Sequence, residues 1–192
     1  MSYTMLEKTL LSLVRLDSDS LGQFVSLFTQ VNLEKGTVFA RSGEYSTHIA
    51  FINSGVMRAF YRKKNGETYN KTLFTDHSFV GAYSSLVTGQ KNQIDIDCLT
   101  DCNLWIAPYK HITQLYDPYP RIERLARILA EQFFVNKEKR EIELVTLDAT
   151  ERYAIFQREY PDLELKIPQY HIASYLGVSP TQLSRIRARK RK

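Results

Sequence analysis

Cysteine is scarce in this chain: Cys98 and Cys102 are the two it has. Two cysteines do not make a disulfide framework, so the reducing cytosol is the expected compartment. A Cys-x-x-x-Cys pair alone completes neither a structural zinc nor an iron–sulfur site, and both residues are expected as free thiols. Histidine is equally thin. His48, His77, His111 and His171 are scattered, none two residues from another, which leaves no His-x-His cluster for a cupin-like metalloenzyme. No nucleophile elbow, Gly-rich phosphate loop or zincin motif occurs; no catalytic residue, metal or other cofactor is expected. Long apolar runs are missing as well. Phe133-Phe134-Val135 is typical of the longest, far too short to span a membrane. Glu7 and Lys8 interrupt the first apolar stretch, so no secretion signal is expected. With only 8 Gly and 6 Pro, nothing points to disorder or repeats.

Acidic residues are missing from one place in particular. Arg185 to Lys192 hold six basic side chains and no acidic one, while the preceding 184 residues carry 20 basic against 21 acidic. The net charge of +5 is therefore concentrated at the C-terminus, where phosphates would be met.

The same stretch has helical punctuation. Ile172, Ala173 and Leu176 fall on one face of a short helix. Gly177 follows, where a helix can stop through a positive φ. Ser179 stands at an N-cap with Pro180 at the first helical position. Ser179-x-x-Gln182 is a capping box that sets where a second helix begins. On it Leu183 and Ile186 face inward, while Thr181, Gln182, Arg185 and Arg189 face out. This is a helix-turn-helix with a basic, polar recognition face. The residues expected at DNA are Ser179, Thr181, Gln182, Ser184, Arg185, Arg187, Arg189 and Lys190.

Upstream, residues 5–16 and about 18–28 read as short helices, the second capped at Asp17 or Ser18 and carrying a Leu21, Phe24, Val25, Phe28 stripe. From about 29 to 107 short strands alternate with turns. The strands are Thr37–Ala40, His48–Asn53, Val56–Arg62, Tyr69–Phe74, Gln93–Leu99 and Asn103–Ala107. Turn signals stand at Lys35-Gly36, Ser42-Gly43-Glu44, Asn53-Ser54-Gly55, Asn65-Gly66 and Thr88-Gly89. Asn65-Gly66 is the strongest hairpin signal, and the set suggests a rolled antiparallel sheet. Pro108–Tyr116 reads as a helical turn or two. Arg121 to about Leu144 is a long helix whose seam is Ile122, Leu125, Ala126, Leu129 and Phe133. That seam packs either on its own sheet or on a second copy. Another box-like start at Asp148-Ala-Thr-Glu151 opens a helix to Tyr160. The fold class is α+β: an N-terminal antiparallel β-roll with flanking helices and the long helix over residues 1–145, then a helix-turn-helix domain over 146–192.

In this order of elements the chain resembles the Crp/Fnr family of bacterial transcription regulators over essentially its full length. The glycines at Gly36, Ser42-Gly43-Glu44, Asn53-Ser54-Gly55, Asn65-Gly66-Glu67 and Phe79-Val80-Gly81 match the roll's corners. Ile172 to Arg187 looks like the short, Bacteroidetes-type members. The resemblance implies a cytoplasmic homodimer on double-stranded DNA, joined through Ile122, Leu125, Leu129 and Phe133. It also implies a β-roll that senses a signal, and RNA polymerase as a further partner. Cyclic-nucleotide-binding members place a Glu and then an Arg followed by Ser or Thr after the Phe-x-Gly; here those places hold Ala82, Asn92 and Gln93. Without a guanidinium there is no bidentate contact to a cyclic phosphate. An effector of another kind would meet Gly81, Ala82, Tyr83, Ser84, Asn92 and Gln93. The family's usual β-hairpin wing is not expected after the recognition helix, and its backbone contacts are then expected of Arg189, Lys190, Arg191 and Lys192. The competing functions are a ligand-binding β-roll module and a cupin-like enzyme. The first would keep the phosphate Arg and need no helix-turn-helix, and the second lacks its metal cluster.

Overall fold

Eight strands close the expected roll as two four-stranded antiparallel sheets, ordered β1-β8-β3-β6 and β2-β7-β4-β5. The computed structural model describes residues 4–190. In chain order the elements are α1 (Met5–Leu13), α2 (Ser18–Ser26), β1 (Thr29–Leu33), β2 (Val38–Ala40), β3 (His48–Ser54), β4 (Met57–Arg62), β5 (Thr68–Phe74), β6 (Phe79–Val80), α3 (Tyr83–Thr88), β7 (Asp95–Cys98), β8 (Cys102–Pro108), α4 (Tyr109–Gln114), α5 (Pro120–Thr146), α6 (Ala149–Glu159), α7 (Leu163–Lys166), α8 (Gln169–Leu176) and α9 (Pro180–Lys190). Four of these, β1, β6, α3 and α7, were not separable in the sequence. β6 has two residues and α7 four, too few to show a period. β1 is a sheet edge whose outward residues are polar, and it is held by its pairing with β8.

Local chemistry sets the boundaries. The Asp17 carboxylate accepts the Ser20 N–H at 2.8 Å and starts α2. Asp148 and Glu151 form a reciprocal capping box that starts α6. Gly55 (φ +120°) is the one corner where glycine is demanded twice, because an added Cβ would lie 2.7 Å from the Asp101 carbonyl oxygen and 2.8 Å from Cys102 Cα.

Three apolar cores result. The inside of the roll is filled by its own side chains, among them Ala50, Ile52, Met57, Ile96, Cys98, Cys102 and Leu104. A second core lies outside the β1-β8-β3-β6 sheet, where α1, α2, α4 and α5 bring Leu6, Leu10, Phe24, Ile112, Ile122 and Leu125 against Phe51 and Phe79. The third belongs to the helices after α5 and crosses the division expected at residue 145: Val56, Leu73 and Leu99 of the roll pack with Tyr153, Phe156, Ile172, Leu176 and Leu183.

Candidate nucleic-acid interface

α8 and α9 form the helix-turn-helix. Ile172, Ala173, Leu176 and Leu183 are fully buried, so the apolar positions of both helices point into one core. α8 ends at Gly177 in the left-handed region (φ +69°), with the Val178 N–H reaching back to the Ala173 carbonyl at 3.0 Å. Gln182 N–H then donates to Ser179 Oγ at 3.2 Å, while Ser179 N–H donates to Gln182 Oε1 at 3.1 Å. This reciprocal box aims the start of α9 outward. Thr181, Gln182, Ser184, Arg185 and Arg189 are exposed, as is Ser179 at the cap. Neither Arg185 nor Arg189 is in an ion pair among the described residues. The positive, N-terminal end of the α9 dipole lies at Ser179, Thr181 and Gln182 on the same surface.

Arg187 departs from the expected set. Its guanidinium lies against α7, Nε 3.6 Å from the Glu164 carboxylate, and is only partly exposed. Two positions past Arg185 the helix has turned by about 200°, which carries the side chain off the outward face. The Lys190 side chain, Arg191 and Lys192 lie outside the described residues.

α8 is seated on the roll by a polar cluster that the sequence reading missed. Arg58 on β4 donates through Nε and Nη2 to both oxygens of Asp97, at 2.8 and 2.9 Å. Its Nη1 donates to Asn70 Oδ1 (3.1 Å) and His171 Nδ1 (3.0 Å). Asn70 Nδ2 donates to the His171 carbonyl at 2.8 Å, its backbone N–H to Ser174 Oγ at 3.0 Å, and Ser174 Oγ to the Thr68 carbonyl at 2.9 Å. Burial, followed by the neighbouring Arg58 charge, lowers the His171 pKa to about 4, so the imidazole is neutral and accepts from Arg58. The available signal was His171 and Ser174, polar and three apart, beside the apolar face of α8.

The expected effector residues are not gathered around one cavity. Ala82 is buried at the start of α3, Gly81 is in contact range of Leu86, and Ser84 and Gln93 are exposed. Asn92 is buried and bonded to the 41–46 loop: Nδ2 donates to the Arg41 carbonyl (3.2 Å) and Ser46 Oγ (2.9 Å), and its N–H to the Glu44 carbonyl (2.8 Å). The place of a phosphate-binding arginine is thus taken by a loop clasp, with Asn92 Oδ1 left without a hydrogen-bond partner. A cavity of about 370 Å³ is lined by that loop together with β2, β3 and β8, through Phe39, Arg41, Tyr45, Thr47, His48 and Ile106. Tyr83 instead lines a narrow apolar cleft with Tyr109, Tyr116, Leu129 and Phe133.

The seam on α5 divides into two parts. Ile122 and Leu125 are 0% and 1% exposed inside the protomer's own core, so they have no surface to offer a second copy. Leu129 packs partly on that core, and Phe133 is 45% exposed. Beyond it, Phe134, Val135, Ile142 and Val145 stand exposed at 65, 59, 56 and 86%.

Residues 30–119 match the family model of the cyclic nucleotide-binding domain. No curated protein matches the chain in sequence. Among solved structures, FixK2 from Bradyrhizobium japonicum superposes with a TM-score of 0.75 at 15% identity, covering 84% of this chain and 83% of that one. A transcriptional regulator of the Crp/Fnr family from Eubacterium rectale gives 0.71 at 18%, covering 89% and 82%. CLP from Xanthomonas campestris, described as a c-di-GMP-responsive global regulator, gives 0.68 at 18%, covering 91% and 92%. Among the described residues no helix is long and apolar enough to cross a membrane. Residues 30–119 thus match the cyclic nucleotide-binding domain, within a chain that shares its fold with these regulators.

Proposed function

We propose that the protein is a sequence-specific, DNA-binding transcription regulator of the Crp/Fnr type. It acts in the cytoplasm as a homodimer and is not an enzyme. Residues 1–145 serve as sensor and dimerisation part, and 146–192 bind DNA. The observation that carries this reading is the exposed face of α9: Thr181, Gln182 and Arg185 project from a helix whose opposite face is anchored by Leu183 and whose start is set by a capping box. The first turns of a recognition helix reach base edges in the major groove, where Gln pairs with adenine and Arg with guanine. Arg189, with the Lys190–Lys192 stretch, adds phosphate contacts that carry affinity without base preference.

A single helix of this length reads only a few base pairs, so specificity calls for two copies about one helical turn apart on a palindromic site. The exposed apolar stripe of α5 from Phe133 to Val145 supports that pairing. Ala82, Asn92 and Gln93 support an effector other than cyclic AMP. RNA polymerase is the further partner such a regulator meets at a promoter.

The test is selection of bound sequences from random duplex DNA, which needs no knowledge of the signal. On the selected site Arg185→Ala is expected to cost roughly 1–3 kcal/mol and relax base preference at one position. Unchanged affinity and preference in that variant would remove α9 as the reading element.

A further inference from the structure

We propose that Arg140 is a positioning residue: it ties the last turn of α8 to α5 across the joint between α5 and α6, and so fixes the half-site spacing that a pair of α9 helices accepts on DNA. The inference rests on the reading of the chain as a dimeric DNA-binding protein, and names what sets the register of its site.

Three observations carry it. First, the joint is short and extended. α5 ends at Thr146 and α6 starts at Ala149, and the two residues between them, Leu147 and Asp148, have ψ of 147° and 171°. A few residues at element ends are what absorbs a hinge motion, unless side chains bridge them.

Second, side chains do bridge this joint, and Arg140 is buried among them with its side chain 13% exposed. Its Nη2 donates to the Tyr175 carbonyl, its Nη1 lies 3.6 Å from the Glu143 carboxylate, and its guanidinium carbon lies 4.2 Å from the centre of the Tyr175 ring. Glu143 is itself buried on α5 and holds the guanidinium from that side. Tyr175 is wedged in turn against Phe156 of α6 and Tyr160, with ring centroids 6.0 and 5.9 Å away. The carbonyls of Tyr175 and Leu176 belong to the last turn of α8, where no helical N–H follows to meet them. Arg140 takes the first, and Arg152 of α6 takes the second through Nε at 3.1 Å. Both cations also face the negative end of the α8 dipole. Lys139 adds an ion pair from α5 to Glu159 at the end of α6.

Third, this grip sits beside the reading helix. α9 follows α8 after Gly177, Val178 and Ser179, and a Cβ at Gly177 would lie 3.6 Å from Leu144 Cδ2 of α5. The roll holds α8 from another side, through His171 and Ser174. With the roll's grip alone, α8 can tilt about it, and α9, joined to the far end, swings with the tilt. A second grip at the C-terminal end removes that freedom. α5 also carries the exposed apolar stripe assigned to pairing, so one helix links the partner contact to the direction of α9.

DNA geometry turns this into a measurable property. One base pair inserted between half-sites separates them by about 3.4 Å and turns one against the other by roughly 35°. A clamped pair of α9 helices cannot follow both changes, whereas a hinged pair can. The guanidinium suits the task because its planar fork reaches a carbonyl and a carboxylate at once and offers a face to a ring; an ammonium does not.

The experiment uses full-length protein on four duplexes: the selected palindrome, the same site with one central base pair added or removed, and a single half-site. Wild type is expected to bind either shifted site at least ~tenfold more weakly than the selected one, within the usual range of coupling between sites. Arg140→Gln should bring the three palindromes within about threefold of one another while keeping the wild-type affinity for the half-site. Arg140→Lys should fall between the two. A role in stability alone would lower the thermal transition and weaken all four duplexes together, without equalising the spacings. Should Arg140→Gln fail to fold with Glu143 left buried, Arg140→Met combined with Glu143→Leu removes both charges and takes its place. Equal discrimination in wild type and variant overturns the proposal, and so does a wild type that binds all three spacings alike. A wild type that prefers no palindrome over the half-site overturns the dimeric reading itself, and this inference with it.

Discussion

His171 is the residue whose chemistry differs most from what its letter suggests. A histidine on a short helix is an ordinary solvated side chain by default, yet here it is buried and faces Arg58, with Asn70 and Asp97 completing the ring of partners. Lys35 is a further nearby positive charge. Protonation would put a second cation beside a guanidinium and remove the acceptor that Nδ1 offers it. The folded pKa of about 4 lies below the usual 6.5, so between those values the unfolded chain binds more protons than the folded one. Stability from this group is present above about pH 6.5 and is lost as pH falls toward 4, by roughly 2–3 kcal/mol in all. Urea titrations of the wild type between pH 7 and 4.5 should show this fall. His171→Gln keeps an acceptor for Arg58 without a titrating proton and should flatten it. An equal slope in the variant would mean that His171 is not buried against Arg58.

On the scale of elements, α5 does two jobs along its 27 residues. Its first turns carry Ile122 and Leu125 into the core shared with α1 and α2, and its last four turns show Phe134, Val135, Ile142 and Val145 to solvent. Four large apolar side chains exposed on one helix mark an interaction surface rather than a solvated one. A charge in each part should therefore act differently. Leu125→Glu buries an unpaired carboxylate and should prevent folding. Phe134→Glu should leave the fold and its thermal transition intact while converting the proposed dimer to monomers in light scattering. Tight binding to the palindromic site should go with it, and weak non-specific binding should stay. A wild type that is monomeric both with and without DNA would assign this stripe to another partner. Ion pairs one turn apart, Lys137 to Glu141 and Lys139 to Glu143, lie on the same helix, each worth a few tenths of a kcal/mol.

For the whole molecule, charge and cavity decide two outcomes. The first 184 residues are nearly neutral, and the excess positive charge follows Arg185. Removing residues 189–192 should weaken binding to every duplex alike and flatten the salt dependence by about 0.9 log units for each phosphate no longer neutralised. Identical salt slopes for both forms would show that the tail does not touch DNA. The second outcome concerns cyclic nucleotides. Although residues 30–119 match the cyclic nucleotide-binding domain, Ala82 has no carboxylate for a ribose, and Asn92 is held by Arg41, Glu44 and Ser46. A cyclic phosphate buried there would lose its hydration without compensation. Calorimetry with cyclic AMP or cyclic GMP should show no saturable heat; a clear isotherm would mean the phosphate is held by backbone N–H groups near Gly81.

The sequence by itself determined what depends on neighbours in the chain. Gly177, Ser179, Pro180 and Gln182 act over one helical turn, so the helix-turn-helix and the exposure of Arg185 were legible before any fold existed. The roll's glycine corners and the length of α5 were legible for the same reason. Tertiary structure decided whatever depends on residues far apart. β1 becomes a strand because β8 pairs with it, and Ile122 and Leu125 leave the expected dimer seam because α1 and α2 cover them. Arg187 lies against Glu164 on α7, and Asn92 is bonded into the 41–46 loop. Arg58, Asn70, Asp97 and His171 become one cluster only when β4, β5, β7 and α8 meet. Local steric and hydrogen-bonding rules reach about four residues along a helix, whereas burial and pairing compare every part of the chain with every other, and only folding makes that comparison.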